Sequence, residues 1–188
     1  MKATEILMQE HRLIEQVLDC LEDAARRFDD GERIEPQFFI DAAEFVAGFA
    51  DGSHHRKEED ILFAALTAND MSADAGPVAV MMYEHEEGRR YTAGFRSAAE
   101  NLKNGDTGAS TDVVRNVLDY VYLLREHIMK EDRVLFPMAD HLLSGDDMQD
   151  VSRKFERVVA EDEESGQTAR YKALADTLAA ALQTESTD

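Results

Sequence analysis

The stretch His127-Ile-Met-Lys-Glu131-Asp-Arg-Val-Leu-Phe-Pro137 decides how this chain is read. Its imidazole and its carboxylate stand four residues apart, and at 3.6 residues per turn that spacing puts both on one helix face, one above the other. Two such groups can grip a single cation. Upstream lies His54-His-Arg-Lys-Glu58-Glu-Asp-Ile-Leu-Phe63, and laying Phe63 on Phe136 superposes His54 on His127 and Glu58 on Glu131. The pattern H-x3-E-x4-F therefore occurs twice. Two copies of a bidentate helix face, on separate helices, suggest two metal ions held between facing helices.

Working outward, the chain reads as helices throughout. The first starts near Ala3 or Thr4 and runs to about Phe28, with Asp29-Asp30-Gly31 as its exit; Leu7, His11, Ile14, Leu18, Leu21, Ala25 and Phe28 form its inner stripe. The second opens at Pro36, whose missing N–H costs nothing in a first turn. It carries Phe39, Ala43, Val46, Ala47 and Ala50 inward, then His54, Glu58, Ile61 and Ala65, and Gly52-Ser53 marks a kink or a break. After a connection from Asn69 to Pro77, the third helix turns Val78, Met81, His85, Gly88, Thr92, Phe95, Ala99 and Leu102 inward. Ser110 or Thr111 is placed to cap the fourth, which presents Val117, Tyr120, Leu124, His127, Glu131, Val134 and Met138 to the core. Pro137 is expected to bend its last turn.

Beyond residue 143 the pattern changes. Phe155, Val158 and Val159 make one short amphipathic patch and Tyr171, Leu174, Leu178, Ala181 and Leu182 another, with a break at Gly166. The expected organisation is all-α: an antiparallel up-down-up-down four-helix bundle over residues 1–143, and one or two helices over 144–188 packing on its outside, frayed at the very end.

Composition sets the surroundings. The 188 residues suit one domain, and Cys20 as the single cysteine allows no internal disulfide, which favours a reducing compartment. A formal charge of −20 argues against nucleic acid and against anionic membrane surfaces. No stretch resembles a membrane span and the N-terminus lacks the apolar core of a signal peptide, so the expected location is the cytoplasm.

His11, His54, Glu58, His85, His127 and Glu131 thus occupy interior positions on four helices. Burying them without partners costs roughly 1–3 kcal/mol per unsatisfied polar group and more per charge. A metal cluster resolves the whole set. Histidine nitrogen with carboxylate oxygen suits iron, with zinc or manganese as substitutes, better than calcium or magnesium. The expected centre has two irons, each with a terminal histidine pair, bridged by both glutamates and by an oxo or hydroxo group. Open positions remain for O2, NO or peroxide. His55 points about 100° away from His54 and is expected off the site, unless a register change exchanges the pair for His55 and Glu59. Glu59 and Asp132 are expected to face solvent, His141 to lie on the surface, and Tyr120, about 10 Å from His127 by helix rise, to be core.

Four helices bearing H, then H-x3-E, then H, then H-x3-E, with Leu-Phe after each H-x3-E, resemble the hemerythrin-like (HHE cation-binding) family of non-haem di-iron proteins. Tyr83-Glu-His85-Glu-Glu-Gly-Arg89 resembles its bacterial members. The resemblance covers roughly residues 4–143 and implies the ligand set named above, an antiparallel bundle and two irons. Oxygen-carrying hemerythrins have an H-x3-H pair on the third helix, whereas Met81 and Arg89 flank His85 at those distances. The pattern is closer to four-His, two-Glu proteins linked to iron–sulfur cluster repair and to nitric oxide or peroxide responses. Sensing, stress response or iron handling follows as the expected role, with a di-iron oxidase or ferroxidase-like enzyme, or an iron storage and delivery module, as alternatives.

Overall fold

The computed structural model describes residues 2–184, and every regular element among them is helical. The chain end expected to fray lies outside the described residues. Helix α1 spans Ala3–Asp29 and stops where Gly31 takes φ +91°, with Arg26 and Arg27 in the last turn facing the negative end of the helix dipole. Helix α2 is a composite over residues 36–68 that opens at Pro36. Helix α3, Pro77–Lys103, leads through a 3-10 turn at Thr107–Ala109 to a second composite, α4, over residues 110–142. Helices α5 (Gly145–Glu164) and α6 (Gln167–Thr184) follow, parted at Gly166 with φ +75°. Capping before α4 falls to Asp106, whose carboxylate accepts from the Gly108 N–H at 3.0 Å, rather than to Ser110 or Thr111. Ser110 is already helical, and its hydroxyl donates to the Thr107 carbonyl.

Both composites owe their form to π-helical turns: Val46–His55 and Glu58–Phe63 in α2, and Glu131–Leu135 in α4. A π turn closes its hydrogen bond on the fifth residue, so it takes in an extra residue and the inner stripe advances by one. Val134 and Met138, expected inside, are 49% and 41% exposed, while Leu135, Phe136 and Ala139 are buried. The same slip buries Leu62, Phe63 and Leu66 and leaves Ile61 and Ala65 half-buried; Ala47 is exposed and Phe49 buried. Pro137 follows the wide turn directly, in the first turn of Phe136–Leu142, where a helix tolerates a residue without an N–H.

Helix α3 packs against α2 and α4, and α1 against α4; α6 lies along both α1 and α2. The apolar core is divided. A large cluster includes Ile14, Leu18, Phe39, Phe95, Val117 and Tyr120, and a smaller one includes Leu7, Phe63, Val78, Met81 and Phe136. On α1, His11 sits between Leu7 of one cluster and Ile14 of the other, which makes the buried polar residues a layer across the core. The last two helices belong to this core: Tyr171 and Leu178 join the large cluster, Val151 and Phe155 the small one. Their approach is close at Gly48, where a Cβ atom would fall 1.7 Å from the Tyr171 hydroxyl oxygen.

Candidate metal centre

The polar layer brings all six sequence-derived residues together and adds a seventh. His11, His54, Glu58 and Glu131 form one group, and His55, Glu58, His85 and His127 another; within each group, one donor atom per residue lies within 4.8 Å of every other. All seven side chains are buried. Glu58 belongs to both groups: its Oε1 is 3.4 Å from His54 Nε2 and its Oε2 is 3.5 Å from His85 Nε2. Glu131 Oε2 lies 3.3 Å from both His11 Nε2 and His127 Nε2. The helices supply these groups in the expected way, since His54 with Glu58 and His127 with Glu131 share faces of α2 and α4.

His55 departs from expectation. It is 3% exposed, its ring stacks on that of His85 at 3.8 Å between centroids, and it belongs to the second group instead of pointing away. The cause is the π turn that ends at His55: with more residues per turn, successive side chains diverge less than on an α-helix, so His54 and His55 both reach the interior. Gly52-Ser53 is the sequence's one sign of the altered turn. His141 is exposed, as expected of a surface residue.

Each of the five imidazoles is held from behind by a carboxylate at Nδ1: His11 by Asp132 at 2.7 Å, His54 by Glu10 at 2.9 Å, His55 by Asp51 at 2.8 Å, His85 by Glu59 at 2.6 Å and His127 by Glu84 at 2.9 Å. An ionised carboxylate only accepts, so Nδ1 carries a proton and Nε2 is the nitrogen turned to the centre. Glu59 and Asp132 are therefore not solvent-facing residues: each reaches across to a histidine of another helix. A base backs every carboxylate in turn. Arg12 pairs with Asp132, Lys57 with Glu10, Lys130 with Glu84, and Arg89 with both Asp51 and Glu59. The aromatic rings that follow the two H-x3-E elements also close on the layer, Phe63 stacking on His85 and Phe136 on His11.

The groups of the layer also shift one another's protonation. Burial disfavours a charge on His127, but Glu131 and Glu84 outweigh it and push its pKa up to about 10. The same balance, with Asp132 and Glu131 as partners, raises His11 to about 9. Burial also opposes ionisation of Glu131, yet His127 and His11 hold it well below the ordinary carboxylate range. His55 moves the other way: burial and then the nearby His85, His54 and His127 keep it neutral. Both oxygens of Glu58, both of Glu131 and Nε2 of His11 are buried without a hydrogen-bond partner. Such orphaned atoms, converging across 3.3–3.5 Å gaps, are a donor set suited to a cation. The donor set fits metal.

All-helical architecture and a buried histidine–carboxylate layer define a helical cation-binding protein. The chain belongs to the family of the hemerythrin HHE cation-binding domain, whose model matches residues 2–139. An uncharacterised protein of Mycobacterium bovis is 24% identical over 154 residues, 82% of this chain and 60% of that protein. The iron–sulfur cluster repair protein YtfE of Musicola paradisiaca is 31% identical over 88 residues, 46% of this chain and 40% of that protein, and the Escherichia coli O1:K1 / APEC protein of the same name is 32% identical over 89 residues, again 46% of this chain and 40% of that protein. The chain thus spans at most 60% of the length of these relatives. No solved structure matches it. Among the described residues no helix is long and apolar enough to cross a membrane.

Proposed function

We propose that this chain is a non-haem di-iron protein that binds or reacts with O2, NO or peroxide, in sensing, stress response or iron handling. The observation that supports the reading is the set of orphaned buried atoms on Glu58, Glu131 and His11, which a cation at each of two positions would satisfy. His11 and His54 would hold one iron, His85 and His127 the other, with Glu58 and Glu131 shared, and His55 joins the second position. In this reading residues 1–143 form an antiparallel up-down-up-down bundle in the cytoplasm, and 144–188 are an extension of it. When bound, the irons supply one-electron redox chemistry and open positions for a small ligand.

The chain's own residues do the rest. The carboxylates fix each imidazole by its Nδ1 proton, and the apolar clusters above and below keep bulk water out. The match to proteins named for iron–sulfur cluster repair supports a second reading, in which the site releases iron to a damaged cluster. Spectra of the reduced, iron-loaded protein exposed separately to O2 and NO test the choice. A stable adduct with either gas supports ligand binding. Rapid loss of iron to a chelator, with no gas-dependent change, rejects it in favour of delivery.

A further inference from the structure

We propose that Lys57 is a positioning residue through which α5 holds one metal position, that of His11, His54, Glu58 and Glu131; the assignment rests on the two-metal reading above. Lys57 is 1% exposed, an unusual place for an ammonium group, which is stable there only when fully paired. Its Nζ donates to Glu10 Oε1 at 2.8 Å and to Ser53 Oγ at 3.0 Å. Glu10 uses its other oxygen, at 2.9 Å, to hold Nδ1 of His54. Ser53 Oγ, accepting from Lys57, donates its own hydrogen to Asp162 Oδ2 of α5 at 2.5 Å. An unbroken polar chain therefore runs from the back of one metal-facing imidazole to the second-last helix.

Two further observations make this chain more than ordinary packing. A cavity of about 400 Å³ lies between α1, α2, α5 and α6, lined by Ile6, Phe49 and Val159 and by Ser53, Lys57 and Asp162 themselves, so apolar packing does not fill this level and, among the described residues, the Ser53–Asp162 bond is the hydrogen bond that ties α5 to it. The repeat within the molecule supplies the contrast. Lys130 stands seventy-three residues after Lys57, as His127 does after His54, and it likewise pairs with the carboxylate that holds the histidine three residues before it. Yet its side chain is 35% exposed, and the position equivalent to Ser53 is Glu126, which is exposed and on the surface. Among the described residues, this hydrogen-bonded link to the extension runs to the His11–His54 position and has no counterpart at Lys130.

Anaerobic titration of the full chain with Fe(II), and with Zn(II) as a redox-silent probe, tests this, with metal count by native mass spectrometry and melting of the metal-free protein recorded alongside. Lys57→Met is expected to weaken one of two bound metals ten- to a hundredfold and leave the other within about twofold, the usual effect of losing an outer partner of a ligand. Asp162→Ala should do the same more weakly, by at least threefold, with the metal-free melting temperature unchanged; it carries the test if Lys57→Met does not fold. Arg170→Gln, which cuts the 2.7 Å contact of α6 with Glu44 of α2, should leave both metals in place. Equal loss of both metals, or loss of neither, in Asp162→Ala overturns the assignment to Lys57 while leaving the two-metal reading intact. A wild type that takes up no second metal overturns that reading, and this assignment with it.

Discussion

The half of the molecule built on α1 and α2 and the half built on α3 and α4 repeat each other residue by residue around the site. Glu10-His11 answers Glu84-His85, and His54, Lys57, Glu58, Glu59 and Phe63 answer His127, Lys130, Glu131, Asp132 and Phe136. Within this frame the halves differ in two ways. His55 has Ile128 as its counterpart, so only one half contributes a fifth imidazole. The first half is also covered by α5 and α6, whereas Val80, Tyr83 and Tyr122, which correspond to the cavity-lining Ile6, Gln9 and Phe49, are exposed on the second. The repeat specifies a symmetric pair of positions, and a local widening of the backbone in one half makes them unequal.

The comparison is broken most severely at Glu58, which belongs to both groups of donors. Glu58→Ala should abolish binding of both metals, by elemental analysis of the iron-loaded protein, whereas His141→Ala should bind as wild type. Next in size, His55→Ala should weaken a single metal by ten- to a hundredfold in a chelator competition. Ile128→Ala, its counterpart, should leave both affinities within about twofold and cost only roughly 2–5 kcal/mol of stability from the cavity it creates. Equal metal loss in the two variants would remove the asymmetry. Phe63→Ala and Phe136→Ala, related by the repeat and stacked on His85 and His11, should each cost roughly 3–5 kcal/mol by denaturant unfolding, and by similar amounts.

The smallest effect is on pH dependence. In the metal-free protein His11 and His127 titrate at about 9 and about 10, above the ordinary 6.5, so the stability they contribute is complete below pH 6.5 and is lost as pH rises through 9 to 10. Melting temperature of the metal-free form should therefore fall across that window. The metal-loaded form, whose imidazoles hold cations in place of these protons, should fall less. A melting temperature that rises from pH 6.5 to 10 without metal would show that the carboxylates do not hold these rings.

Much of this was legible in the residues. Helix boundaries at Pro36, Pro77 and Gly31 follow from backbone chemistry, and the His/Glu spacing placed its pairs on shared faces because an α-helix runs through His127 to Lys130. What escaped is what the π turns change. Heptad counting carries the inner stripe to Val134 and Ile61, and no side chain announces the extra residue that moves it to Leu135 and Leu62. Another π turn, the one that ends at His55, brought that ring inward. The roles of Glu59 and Asp132 were hidden for another reason: each holds a histidine on a different helix, a relation that sequence spacing does not carry. One signal was available, since the acid before each lone histidine, Glu10 and Glu84, and the lysine before the glutamate of each H-x3-E element, Lys57 and Lys130, extend the repeat beyond H-x3-E-x4-F.

The most direct test of the central claim is the iron content of the anaerobically loaded wild type and Glu58→Ala, measured together by elemental analysis. A centre built on a shared glutamate gives two irons per chain in the wild type and none in the variant. One iron or fewer in the wild type, or an unchanged count in Glu58→Ala, would contradict it.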